Sequence, residues 1–151
     1  MKTIFKSTSL VIIGVSSTFL LLGCSAKGPK FTEMEKIEKN KSVVYVYRPS
    51  AFVGGGVTYD VHAKKSDGSD VVIGNLKSGG YLKYKTKPDE IEFWAKTEST
   101  SSVTIDAQAN KMYCIKGEVG VGFFVGRPHL RIVDNALCME ELKSTSLSVD
   151  E

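Results

Sequence analysis

The sequence predicts an all-β protein, a single antiparallel β-sandwich of about seven or eight strands. Three observations predict it. Short runs alternate apolar and polar residues with a period of two. Turn residues recur between the runs, at Gly54-Gly55-Gly56, Asp67-Gly68-Ser69, Ser78-Gly79-Gly80 and Lys87-Pro88-Asp89. No long helical pattern separates the runs, which argues against a parallel sheet built on helical crossovers.

Val43-Val44-Tyr45-Val46-Tyr47 is β-branched and aromatic on both faces, so it reads as a central strand stopped by Arg48-Pro49. Val57, Tyr59, Val61 and Ala63 alternate with Thr58, Asp60, His62 and Lys64, the pattern of a strand with one wet face. Val71-Val72-Ile73 returns, and Tyr81 to Lys85 follows the next turn. Ile91, Phe93 and Ala95 oppose Glu92, Trp94 and Lys96, and Val103, Ile105 and Ala107 alternate again. Met112 to Lys116 and Leu130 to Val133 complete the strands. Asn135 is placed to cap a short helix over Ala136 to Leu142. Phe31 to Lys39 has apolar residues spaced for two helical turns, and reads equally well as a mobile spacer.

The N-terminus has the three parts of a secretory leader. Lys2 and Lys6 supply charge, Leu10 to Leu22 is uncharged and apolar, and Gly23 precedes Cys24. The apolar run falls short of the roughly 20 residues a spanning helix needs. Leu21 breaks the small-residue pattern of an ordinary cleavage site. Leu21-Leu22-Gly23-Cys24 resembles a lipobox instead, with cleavage between Gly23 and Cys24 and lipidation on Cys24. That cysteine would carry a thioether-linked lipid and an amide-linked, palmitate-type chain. Two or more chains anchor firmly, since each buried CH₂ contributes on the order of 0.8 kcal/mol. Ser25 follows where an Asp would suggest retention at an inner membrane, so an outer membrane is expected if the cell has two.

The expected organisation is therefore a signal peptide over 1–23, a lipidated tether over 24–41, a sandwich domain over 42–143 and a flexible tail over 144–151. The formal net charge of +3 includes Lys2 and Lys6. Without the leader the chain is close to neutral, and its charges are interspersed, so no nucleic-acid partner is expected.

Of three cysteines, Cys24 is assigned to lipid. Cys114 and Cys138 remain, as a disulfide or as two buried thiols in an exported protein. A catalytic cysteine beside His129 lacks a base and an orienting group at any recognisable spacing.

Gly117 to His129 combines Gly117, Gly120, Gly122 and Gly126 with adjacent Phe123 and Phe124. A phosphate loop would need a helix to follow, and none is predicted. One reading is a glycine-kinked strand or long hairpin with both phenylalanines in the core. The other is an exposed apolar loop, with Gly122, Phe123, Phe124 and Arg127 meeting a partner or a bilayer surface. Phe52, Val53 and Gly54 to Gly56 would form its second lip. Trp94 and the tyrosines are expected in the core or at its margins. Tyr81, Tyr84, Lys83 and Lys85 suggest an aromatic and basic surface for a glycan or acidic polymer. Arg48, Arg127 and Arg131 suit fixed contacts to carboxylates or an anionic partner. His62 and His129 lack ligand-spaced companions, so neither a metal nor a cofactor is expected.

Val44-Tyr45-Val46-Tyr47-Arg48-Pro49-Ser50, Gly79-Gly80-Tyr81, Phe93-Trp94-Ala95, Lys116-Gly117-Glu118 and Gly126-Arg127-Pro128-His129-Leu130 together carry a resemblance. Over roughly Ser42 to Asp134 the chain resembles a bacterial lipoprotein family defined by a domain of unknown function. That family is similar to small prealbumin-like sandwiches of cell-surface repeat modules. The resemblance implies an exported, lipid-anchored β domain and no activity. The expected function is a non-enzymatic envelope module, structural or binding an envelope protein or cell-wall component. The rival expectation is an envelope hydrolase or hydrolase inhibitor, which would gather Asp60, His62, Arg127 or His129 in a pocket.

The Cys24→Ala variant is expected to stay uncut and unlipidated. Mass spectrometry of the membrane fraction checks this, and a mature soluble product would refute the lipobox assignment.

Overall fold

The computed structural model describes residues 25–149. Lys2, Lys6, the Leu10 to Leu22 run, Gly23 and Cys24 lie outside the described residues.

The elements in order are β1 (Ser42–Arg48), β2 (Tyr59–Lys65), β3 (Asp70–Leu76), β4 (Gly80–Thr86), β5 (Asp89–Lys96), β6 (Thr100–Ala107), β7 (Met112–Gly120), β8 (Arg127–Val133), α1 (Asn135–Leu142) and β9 (Ser146–Leu147). Two sheets pack face to face. One has five strands in the order β8-β7-β1-β4-β9, and the other four in the order β3-β2-β5-β6. The all-β sandwich is as expected, and β1 to β8 coincide with the periodic runs.

β1 is buried along its whole length. Val44 and Val46 face the inner core with Val61, Leu76, Ile91, Phe93, Ile105 and Ile115. Val43, Tyr45 and Tyr47 face the other way, against Cys114, Val133, Cys138 and Leu142. Each such side chain buried contributes roughly 1.5–3 kcal/mol, so leaving either face wet would cost much of the fold.

The second face is covered by α1 and by the segment before β1. Here the expected tether takes neither of its two readings, helical turns or a spacer free of the domain. Residues 25–41 run over the five-stranded sheet without helix. Phe31, Met34 and Ile37 pack on the outer cluster, and Phe31 meets Tyr45 and Tyr81 edge-on at 6.0 and 5.6 Å. The Glu35 amide donates to the Tyr45 hydroxyl at 2.9 Å. Glu35 also pairs with Lys83 and Lys85, and their hydrogen bonds hold its carboxyl below the usual range. The physical reason is the outer face of β1, which the apolar residues of this segment are needed to close.

The expected flexible tail also differs in its described part, up to Val149. Thr145 is fully buried. Ser146 and Leu147 form β9, parallel to Gly80 and Tyr81 of β4. The Gly28 amide donates to the Leu147 carbonyl at 3.0 Å, and the Leu147 amide to that of Pro29 at 2.8 Å. Both ends of the domain thus close one sheet edge together.

The sheet is not purely antiparallel. β1 and β7 pair in parallel, Val43 with Met112 through Tyr47 with Lys116. A parallel pair needs a long crossover, and the whole four-stranded sheet supplies it in place of a helix. The cap of α1 is one residue earlier than expected: Asp134 accepts from the Leu137 amide at 2.9 Å, and Asn135 is already helical.

Cys114 on β7 and Cys138 on α1 are joined in a disulfide, 24 residues apart in sequence. It fastens α1 to the outer face of the sheet. Replacing both by serine is expected to lower the unfolding free energy by about 3 kcal/mol, the scale for a loop of this length. Urea denaturation checks it, with reduced wild type expected to unfold at the same midpoint as the variant.

Candidate interaction site at the loop end of the sandwich

β1, β3, β5 and β7 end at one end of the sandwich, where β4, β6 and β8 begin, as their registers require. The loop after β1 and the loop between β7 and β8 both lie there. Phe52, Phe123 and Phe124 are 102%, 82% and 87% exposed, and Val53 and Val121 are exposed beside them. The expectation of a long hairpin over Gly117 to His129 is met. Its phenylalanines are not in the core: they face solvent.

The β7–β8 loop is pinned from beneath. Glu98, in the turn between β5 and β6, accepts from the Phe123 amide at 2.6 Å and the Phe124 amide at 3.1 Å. It also reaches the Val125 amide at 3.4 Å and the Arg127 Nε at 3.0 Å. The Phe124 and Phe123 amides, with Arg127, hold the Glu98 carboxyl down to about 2. Thr97 Oγ1 donates to the Gly126 carbonyl at 2.7 Å. The carboxylate needs close backbone approach: a Cβ on Gly122 would stand 1.5 Å from the Val125 carbonyl oxygen and 2.1 Å from Glu98 Oε1. No periodicity in the sequence marks Glu98, which lies more than twenty residues from the loop it organises.

Arg48 holds the other lip. Its buried guanidinium donates to the carbonyls of Val57 and Gly54 and sits 5.9 Å from the Tyr59 ring centroid. Thus Arg48 anchors its loop through carbonyls, while Arg127 and Arg131 contact Glu98 and Glu118. The two lips meet over Val119, which a Cβ on either Gly54 or Gly126 would run into, and a Cβ on Gly126 would also stand 3.3 Å from Val57 of the first loop.

Beside them lies a cleft of about 470 Å³, lined by Arg48 to Ala51, Val53 and Lys116 to Gly120. Its charged groups are engaged. Lys116 Nζ is 2.5 Å from Glu141 Oε1, and Tyr47 donates to the other oxygen at 2.5 Å. Burial pushes the Glu141 carboxyl up, but Lys116 and Tyr47 outweigh it and leave it below its usual value.

Other candidates fall elsewhere. Tyr84 points inward, edge-on to Phe93 at 5.8 Å, while Tyr81 is covered by Phe31 and Lys83 and Lys85 are paired with Glu35. The expected aromatic and basic surface is therefore not assembled. Trp94 is not core: it stacks on His62 at 3.7 Å on the outer face of the four-stranded sheet, donating to Asp70 at 3.1 Å. Asp60 accepts from Asn75 on that face at 2.9 Å. His129 is exposed on edge strand β8. Asp60, His62, Arg127 and His129 line neither this cleft nor the small crease beside Lys64. Among the described residues no group of three His, Cys, Asp or Glu is placed to hold a metal ion, and no helix is long and apolar enough to cross a membrane.

No protein-family model matches the chain, and no curated protein matches it either. Among solved structures, an NMR structure of a protein from Eubacterium rectale aligns at 10% identity, covering 64% of this chain and 92% of that one, with a TM-score of 0.44. A likeness of that size carries no argument about function.

Glu98→Ala is expected to free the loop. Hydrogen exchange at the Phe123, Phe124 and Val125 amides should rise severalfold while β1 and β7 amides stay protected. Because the folded carboxyl is depressed, its contribution is present above its ordinary value of 4.5 and is lost as pH falls through about 2. Loop amide shifts in wild type should thus move in that acid window and hold steady between pH 6 and 8.

Proposed function

We propose that the protein is a lipid-anchored module of the bacterial cell envelope, held by acyl chains on Cys24, and that it works by contact rather than catalysis. Its contact surface is the loop end of the sandwich. One observation carries this reading: exposed phenylalanines stand on two loops fixed by buried Arg48 and by Glu98. A chain that leaves large apolar side chains in water, yet invests a carboxylate and close-packed glycines in holding them, has a surface built to be covered. The lipoprotein resemblance and the Leu21-Leu22-Gly23-Cys24 leader support the envelope location. In a cell with two membranes, Ser25 behind the lipid-bearing cysteine favours the outer one.

A photo-crosslinking phenylalanine analogue at position 123 or 124 is expected to give an adduct in intact cells. The same probe at Thr104, on the outer face of the four-stranded sheet, should give far less. No adduct from either loop position, in protein recovered lipidated from the membrane, would rule out the loop end as the contact surface.

A further inference from the structure

We infer that the surface covered by the loop end is the bilayer that carries the anchor, so that the sandwich sits down on the membrane beside its own lipid. This rests on the lipid-anchor reading of Cys24. Three observations lead to it.

The first is where the described chain begins. Ser25 bridges Ser78, and the Ala26 amide donates to the Ser78 carbonyl at 3.1 Å. Ser78 lies in the turn between β3 and β4, at the loop end. Its hydroxyl accepts from the Ala51 amide at 3.2 Å, and Phe52 and Val53 follow at once. Cys24 is one peptide unit from Ser25, about 3.8 Å between α-carbons. The lipid therefore leaves the domain on the side of the exposed phenylalanines. Residues 25–41 are docked along the sheet, so no free spacer holds the domain away from the headgroups.

The second is the asymmetry of the two ends. The turns at the far end are polar: Asn40-Lys41, Ser66 to Ser69, Lys87 to Asp89 and Asn110-Lys111. The loop end carries Phe52, Val53, Val121, Phe123 and Phe124, all exposed.

The third is how the loop tip satisfies its backbone. An apolar boundary offers few water partners to an amide, so a segment entering it must bond internally. The amides of Phe123, Phe124 and Val125 all point to the Glu98 carboxylate. The rings thus sit on a stretch of the tip whose three N–H groups, those of Phe123, Phe124 and Val125, are already bonded. Glu98 and Arg127 form a charged neck below it, at the level of headgroups. A few phenylalanines bind a bilayer weakly alone, but an adjacent anchor makes that binding intramolecular.

The test uses lipidated full-length protein in vesicles of phosphatidylethanolamine and phosphatidylglycerol containing lipids brominated on the acyl chain. Wild type reports through Trp94 on the outer sheet face. F123W and F52W are expected to show blue-shifted emission that the brominated chains quench. D67W, in a far-end turn, and wild type should not be quenched. Lipidated F123W and F52W that emit like D67W would overturn bilayer docking and leave the anchor standing. A mass spectrum without lipid would instead overturn the anchor and the docking with it. The vesicles contain no other protein, so a protein partner cannot produce the quenching.

Discussion

Strand β1 has to be dry on both sides, and the architecture follows from that. A run such as Val43-Val44-Tyr45-Val46-Tyr47 offers no face to water, so two separate layers must cover it. The four-stranded sheet covers Val44 and Val46. α1, tied on by the Cys114–Cys138 disulfide, and the segment before β1 cover Val43, Tyr45 and Tyr47. The domain is a sandwich with a third, partial layer; the first described segment belongs to that layer, while the last pairs with β4 at the sheet edge as β9. Position of the first described residue is thus a consequence of core packing. Covering the outer face takes the segment along the sheet and sets Ser25 against Ser78.

The loop end obeys a different logic. Its apolar side chains are outside, and polar groups do the ordering. One carboxylate gathers three amides and a guanidinium, and a buried arginine gathers two carbonyls. A charged group bonded to several backbone partners fixes a loop without a hydrophobic core beneath it. That division leaves the phenylalanines free for contact while their backbone is held, which is the arrangement an interacting surface requires. It also separates the loop end from the His62–Trp94 stack, which lies on a sheet face and belongs to neither lip.

Local patterns were legible and distant ones were not. Alternation located β1 to β8 because a strand's two faces are written in adjacent residues. The alternation set Trp94 on the polar face with Glu92 and Lys96, but could not show that His62, on a neighbouring strand, stacks on it there. The spacing of Phe31, Met34 and Ile37 suggested helical turns, yet an extended segment also uses spaced apolar residues when it lies across a sheet. Glycines around Phe123 and Phe124 fitted a core hairpin and an exposed loop equally. The decision lay with Glu98, on another hairpin, and with the close approach at Gly122.

By itself the sequence determined the fold class, the identity of the central strand and its need for cover on two sides. It also set the leader pattern that points to Cys24. All of these are properties of neighbouring residues. Only the tertiary structure decided what supplies the cover, that β1 and β7 run parallel, that residues 25–41 are docked, and that Ser25 emerges beside the exposed phenylalanines. Those are relations between segments far apart in the chain, and strand order and packing settle them rather than any local periodicity.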